Sequence, residues 1–413
     1  MHPNTLFFAA AATAVASGQD LATALAGQSS LTTLVALLGQ VSNTTEFLAS
    51  RENVTLFAPN DEAFAGIVQS GGIFSIDQAS VDPGLIEQIL RYHLYRGVVK
   101  AEDITPVPNF IHSYLNYSGF VLDGEVSGSN VTGGQVVSVN LNDAGDALVT
   151  AGIKVASKVT VADIAFDNGI IHIIDKLLLI PLSISETLIT GNFTALAGAA
   201  TQAGLVSTLE DLSDVTIFCP NNDAFQKIAS GTGNITDEQL AEILKYHVVQ
   251  GTVGYSTLLS NTSLPTLNDE EVKITIDDDG AVFVNSARVI NADILIANGV
   301  IHVIDEVLNP ANPYATPSEN ATATATTNLA TFVPFTSGIE PETSVYFELT
   351  QTTSFVAAGL VTGTPSATNG SGNSSVTTTG GPVIQTTNAG GRNDLPALAA
   401  AVAIGALAFA IDW

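Results

Sequence analysis

Six histidines stand among forty acidic residues in this chain, so the first question is whether any of them could move a proton or hold a metal. His172 and Asp175 are three apart in a β-rich run, as are His302 and Asp305. A strand sends such a pair to opposite faces, so neither pair can form a dyad, and local hydrogen bonding at the end of a core strand is expected instead. His93 closes the apolar series Ile86, Ile89, Leu90, and His247 closes Leu240, Ile243, Leu244. That i, i+3, i+4, i+7 spacing puts both imidazoles on the buried face of a helix, where each would need a partner from another segment to act as base or ligand. A hydrogen-bonded core histidine is the expectation.

Metal and nucleophile signatures do not fill the gap. There is no His-Glu-x-x-His, cysteines cannot pair, and Asn140-Leu-Asn-Asp-Ala-Gly145 lacks the acidic fifth ligand and closing Glu of a calcium loop. Gly-x-Ser-x-Gly and phosphate-cradling glycine loops are missing too. The single cysteine, Cys219, replaces Ala58 inside an apolar run with nothing basic beside it, which predicts a buried, inert thiol and no intramolecular disulfide. The chain is expected to be no autonomous enzyme and to need no cofactor.

The elements that must position these residues come twice. Asn53-Val-Thr-Leu-Phe-Ala-Pro-Asn-Asp-Glu-Ala-Phe64 returns as Asp214-Val-Thr-Ile-Phe-Cys-Pro-Asn-Asn-Asp-Ala-Phe225, Leu90-Arg-Tyr-His93 as Leu244-Lys-Tyr-His247, and Asn168-Gly-Ile-Ile-His-Ile-Ile-Asp175 as Asn298-Gly-Val-Ile-His-Val-Ile-Asp305. Each copy is long enough to bury its own core, so this is a duplicated domain rather than a solenoid. Copy one carries extra residues at Gly71–Val81 and between Tyr95 and Lys158, which predicts longer surface loops on one scaffold.

Within a copy, helical spacing at Leu31–Leu38 and Phe193–Ala200 precedes a short strand stopped by Pro59 or Pro220. The Tyr-His helix has an Asp82 N-cap followed by Pro83 in copy one, and a Thr236/Gln239 capping box in copy two. Alternating runs Val136–Leu141 and Val272–Ile276 end in Asn142–Gly145 and Asp277–Gly280, which predicts hairpins and an α+β fold.

The formal charge of −28, with only twelve Lys and Arg, excludes a nucleic-acid role and favours solubility through mutual repulsion, which acid would weaken. Residues 1–18 fit a secretory signal peptide. Residues 311–394 form a Thr/Ser-rich, O-glycosylated stalk in which Ser344–Thr350 alternates enough for a local strand. Small residues Asn388-Ala-Gly390, a polar spacer and the apolar stretch 395–413 match a glycosylphosphatidylinositol signal with attachment at Asn388; a single transmembrane helix is the alternative, without a basic flank to orient it. Ten N-glycosylation sequons occur, at Asn43, Asn53, Asn116, Asn130, Asn192, Asn234, Asn261, Asn320, Asn369 and Asn373.

The three repeated blocks resemble the end and central motifs of the fasciclin domain, over residues 19–180 and 182–309. That resemblance implies two domains, each a wedge-shaped β-sandwich with a helical layer, in a surface protein that mediates adhesion. It also implies candidate partner contacts at the Asp-Ile pairs, Asp163-Ile164 and Asp293-Ile294, and at Tyr92-His93 and Tyr246-His247. The apolar spacing favours a scaffold role for Tyr-His, and a capped turn is the plain alternative for Asp-Ile. The expected function is non-catalytic binding at the cell surface, plasma membrane or wall, to an extracellular protein or glycan, with membrane attachment through the lipid anchor. The alternative is an accessory subunit beside secreted oxidative enzymes that make a secondary metabolite or pigment.

Overall fold

The computed structural model describes residues 19–69, 83–115, 120–122, 125–127, 131–232, 235–313 and 335–336. The expected signal peptide, the local strand at Ser344–Thr350, the terminal tail and Asn388 lie outside them, as do Asp82 and the sequons at Asn116, Asn130, Asn234, Asn320, Asn369 and Asn373.

The first domain gathers helices α1 (Leu21–Ala26), α2 (Thr32–Gln40), α3 (Ser42–Ala49), α4 (Asp61–Gln69) and α5 (Pro83–Tyr92) around strand β1 (Val54–Pro59). Strands β2 (Leu94–Arg96), β3 (Asn109–His112), β4 (Phe120–Leu122), β5 (Glu125–Ser127), β6 (Val136–Leu141), β7 (Ala147–Thr150), β8 (Ala156–Phe166) and β9 (Gly169–Ile174) complete it. The second domain repeats the plan with α6 (Ile184–Thr190), α7 (Thr194–Gln202), α8 (Val206–Asp211), α9 (Asn222–Thr232) and α10 (Asp237–Tyr246). Its strands are β10 (Val215–Pro220), β11 (Val248–Val249), β12 (Thr262–Pro265), β13 (Glu271–Ile276), β14 (Val282–Val284), β15 (Ala287–Ile296) and β16 (Gly299–Ile304).

Among the described residues each domain has one seven-stranded sheet, in order β2-β1-β9-β8-β7-β6-β3 and β11-β10-β16-β15-β14-β13-β12, while β4 and β5 pair only with each other. The pairs β1–β9 and β10–β16 are parallel. β8 and β15 each carry two register shifts, and such bulges bend a long strand enough to fold one sheet over on itself. In the first domain a bridge between Tyr95 and Ser113 brings the two ends of the sheet together. A single curled sheet thus makes both layers of the sandwich, and each domain has two cores. One lies between helices and sheet, around Leu34, Leu90 and Ile171 in the first copy. The other lies inside the curl, around Phe57, Tyr92 and Val139. The hairpins β6–β7 and β13–β14 form where the alternation predicts them, and α10 carries the Thr236/Gln239 capping box.

The repeated motifs turn out to be joints of this scaffold. A Cβ on Gly169 would lie 2.0 Å from the Val54 carbonyl oxygen, and one on Gly299 would lie 1.9 Å from that of Val215, so only glycine lets β9 and β16 enter beside the central strand. The preceding asparagines tie down helix ends: Asn168 donates to Ala49 O, and Asn298 to Leu209 O and Leu212 O. After the central strand, Asn60 accepts from Ala63 N and Asn221 from Ala224 N, capping α4 and α9. Asp61 accepts from Thr33 N, and Asn222 from Ala195 N, at the starts of α2 and α7.

Candidate functional site

The Tyr-His pairs are inside the protein. Tyr92 and Tyr246 are fully buried, and His93 and His247 expose 1% and 2% of their surface. His93 Nδ1 donates to Ile89 O at 2.7 Å, and its Nε2 accepts from Leu178 N at 3.0 Å. In the second copy His247 donates to Ile243 O at 2.8 Å and accepts from Leu308 N at 2.9 Å. Each imidazole therefore bolts the last turn of its helix to the chain leaving the last strand. The neutral tautomer meets both partners, and burial pulls both pKa values down to about 4 against a smaller upward effect of the helix carbonyl. The tyrosines are equally committed: Tyr92 donates to Val136 O, while Tyr246 donates to Glu271 O and accepts from Asn285 Nδ2.

The Asp-Ile pairs sit on the bulges of β8 and β15, where Asp163 has φ 58° and Asp293 φ 62°. Aspartate tolerates this left-handed conformation better than most residues. In each copy the aspartate N–H points at the histidine of the neighbouring strand, Asp163 N to His172 Nδ1 and Asp293 N to His302 Nδ1, both at 3.4 Å. The other ring nitrogens donate at 2.7 Å to Val99 O and Gly254 O. The carboxylates then diverge. Asp163 accepts from Ala101 N at 3.1 Å and its side chain stays 44% exposed, with Ile164 half-buried beside it. Asp293 accepts from Ser256 N at 2.7 Å and from Ser256 Oγ, and Ile294 is buried.

The family follows from the chain itself, because the Fasciclin domain matches residues 29–181 and again 191–310. The chain belongs to the fasciclin family. It is 36% identical over 319 residues to the fasciclin-like arabinogalactan protein of Arthroderma benhamiae, spanning 76% of this chain and 73% of that one. The fasciclin-like arabinogalactan protein CTB11 of Cercospora beticola is 31% identical over 75% of this chain and 81% of its own length. Among solved structures, a FAS1 domain pair from the insect cell adhesion molecule fasciclin I aligns with a TM-score of 0.31 and 19% identity, covering 68% of this chain and 97% of that one.

In these fasciclin domains the nearest approach to a catalytic constellation is Ser256, Asp293 and His302, and its geometry is wrong for nucleophilic catalysis. Ser256 Oγ donates directly to the Asp293 carboxylate, while both nitrogens of His302 are spent on backbone groups. A serine nucleophile needs the base at its own oxygen. Asp175 and Asp305 accept from the backbone N–H groups of Lys158 and Arg288. Cys219 is fully buried and burial pushes its thiol up, so it is no thiolate. Among the described residues no group of three or more His, Cys, Asp or Glu could hold a metal ion, and no helix is long and apolar enough to cross a membrane.

Sequence reasoning missed the coupling of Asp163 to His172 and of Asp293 to His302. The signal was present as a common nine-residue interval in both copies. It also missed the joint between the domains. Gln135 Nε2 donates to Ile296 O and Ala297 O, Thr132 N donates to the Asp214 carboxylate at 2.7 Å, and Phe110 stacks on Tyr255 with ring centroids 4.2 Å apart. Lys154, at φ 58°, reaches across to donate to Ala292 O at 2.6 Å. Burial lowers its pKa, opposed by the Asp293 carboxylate.

Proposed function

We propose that this fasciclin chain is a non-catalytic adhesion protein, secreted and N-glycosylated, held at the plasma membrane or cell wall by a lipid anchor, and binding an extracellular protein or glycan through its first domain. Adhesion is what fasciclin membership implies, and the observation that carries the reading is the division of labour among residues. The repeated histidines and tyrosines are consumed by the scaffold, whereas the Asp163–Ile164 bulge is held in a fixed conformation with its carboxylate in solvent. Exposed sequons at Asn53, Asn192 and Asn261 suit a secreted surface protein. No feature of the site favours the accessory-subunit alternative.

The test is a pair of measurements on cells producing the full chain. Phosphatidylinositol-specific phospholipase should release it from the surface, and the released protein should be retained on the producer's own wall fraction. Mature protein that still contains the peptide Leu398–Phe409, or that passes the wall fraction without retention, would overturn the anchor or the adhesion reading respectively. Release with stable co-purification of an oxidase would revive the accessory role.

A further inference from the structure

Lys154 projects into an open cleft of about 860 Å³ between the domains, which no part of the adhesion reading uses. Asn192, Asn221, Asn222, Asp223, Ile290 and Asn291, all of the second domain, line it with the lysine, so one carboxylate, an acceptor for sugar hydroxyls, stands in the same space. The volume is within the usual range for small-molecule sites, but the lining is unusual. Four carboxamides face one space, and each offers both donors and an acceptor. Two of them are held in place: Asn221 Oδ1 accepts from Ala224 N, and Asn222 bridges Ala195 N and Asn192 O. The side chains of Asn192 and Asn291 form no hydrogen bond within the described residues. Ile290 adds an apolar surface that is 49% exposed. The Lys154 ammonium has spent one donor on Ala292 O.

Two amides fixed by the fold, two more with donors and acceptor unspent, an exposed aliphatic side chain and one cation with donors to spare match a sugar bearing hydroxyls and an acetamido group. The carbonyl of that group accepts from an ammonium or amide, and its methyl and the ring face pack on an aliphatic side chain. Asn192 is moreover the acceptor of Asn192-Phe193-Thr194, stands exposed on the turn between α6 and α7, and lines the same cleft. A glycan there would begin at the cleft wall. The attachment joins Asn192 Nδ2 to the anomeric carbon of a sugar carried on a lipid diphosphate, which leaves as the amide proton is lost to a base of the host transferase.

We propose that the interdomain cleft is a saccharide seat for an N-acetylhexosamine, supplied either by the chain's own glycan at Asn192 or by an oligosaccharide from solution. The own-glycan arm rests on the N-glycosylation in the adhesion reading, whereas the solution arm does not, and both are tested without cells, so that failure of surface retention and failure of the cleft are read separately. The full chain is secreted from a glycosylating host, occupancy at Asn192 is read by peptide mass spectrometry, and hydrogen exchange is compared before and after native treatment with a glycoamidase. The treated protein is then titrated with di-N-acetylchitobiose.

If the own glycan is seated, Asn192 is occupied and residues 221–223 and 290–292 lose protection on treatment. If the sugar comes from solution, the treated chain binds chitobiose, and Asn291→Ala, which breaks no hydrogen bond of the fold, weakens binding roughly fivefold to tenfold. An own glycan should likewise lose its protection of the cleft in Asn291→Ala while Asn192 stays occupied. An unprotected cleft in the glycosylated chain together with no chitobiose binding in the treated one overturns the proposal. So does binding that Asn291→Ala and Ile290→Thr leave unchanged.

Discussion

The two Asp-Ile bulges share a backbone and its hydrogen bonds and differ in how far they are exposed and what else their side chains meet. Both aspartates adopt the same left-handed φ, both N–H groups meet a histidine across the hairpin, and both histidines donate to a carbonyl of the loop after β2 or its counterpart β11. Asp163 and Ile164 nevertheless remain accessible, whereas Asp293 is braced by Ser256 and faces Lys154 from the other domain, and Ile294 is buried. The lesson concerns how a duplicated domain divides its work. What the copies repeat is what the fold needs, so a function added to the fold lies where they diverge. The second copy has spent its bulge on the domain joint, and the first copy's bulge stays accessible to solvent.

The scaffold half of this comparison is broken most severely by acid. Each Tyr-His imidazole ionises near 6.5 in an unfolded chain and near 4 in its buried site. Between those values the unfolded chain binds more protons, so the contribution to stability is complete above pH 6.5 and is lost as the pH falls towards 4. Each shift corresponds to about 3 kcal/mol at its limit, acting on both domains in the same window. Relief of the −28 self-repulsion acts in the opposite direction as carboxylates protonate. Thermal melts at pH 7, 5.5 and 4.5 should show both domains losing stability; an unchanged Tm down to pH 4.5 would mean that these imidazoles protonate without cost.

His247→Ala breaks one copy only. It orphans the Ile243 carbonyl and the Leu308 N–H, and a buried group left unpaired costs on the order of 1–3 kcal/mol. The second domain should then melt well before the first, and His93→Ala should reverse the order. Denaturation followed by hydrogen exchange in each domain reads this directly. Equal destabilisation of both domains by either variant would show that they unfold as one unit.

Half of each bolt was legible in the sequence, and the reason is local. The apolar series ending in His93 and His247, the Thr236/Gln239 box and the hairpin turns all follow from spacing within one element. The partners of the bolts were not legible, because Leu178 and Leu308 come from chain that spacing cannot place. The Asp163–His172 pairing was hidden by bulges that change the register between two strands the sequence defines well. Lys154 was hidden more deeply still, since its partner Ala292 belongs to the other domain and offers only a backbone carbonyl.

Lys154→Met keeps the aliphatic stem and removes the charged donor to Ala292, so it tests whether docking is what separates the two bulges. A charge-assisted hydrogen bond of this kind is worth about 1.5–3 kcal/mol, and less where solvent reaches it. A loss of about 1 kcal/mol is expected for the second domain, together with faster hydrogen exchange along residues 290–297. If exchange there does not change, the Gln135, Phe110 and Thr132–Asp214 contacts are enough to hold the joint and Lys154 is incidental.

The smallest effect on stability should accompany the largest effect on binding. Asn accepts a left-handed φ as readily as Asp, so Asp163→Asn keeps the bulge and removes only a charge whose side chain is 44% exposed. Its stability should stay within about 0.5 kcal/mol of the parent. Asp293→Asn should cost more, because it replaces the acceptor of the Ser256 N–H and hydroxyl and the charge facing Lys154. Retention on the wall fraction should behave the other way round, falling for Asp163→Asn and holding for Asp293→Asn at temperatures where both are folded. If the two variants lost retention equally, the bulges would be acting through the fold and the division of labour between the copies would fail. If neither lost any, the partner surface would have to be sought away from the bulge, among the loops by which the first copy is longer than the second.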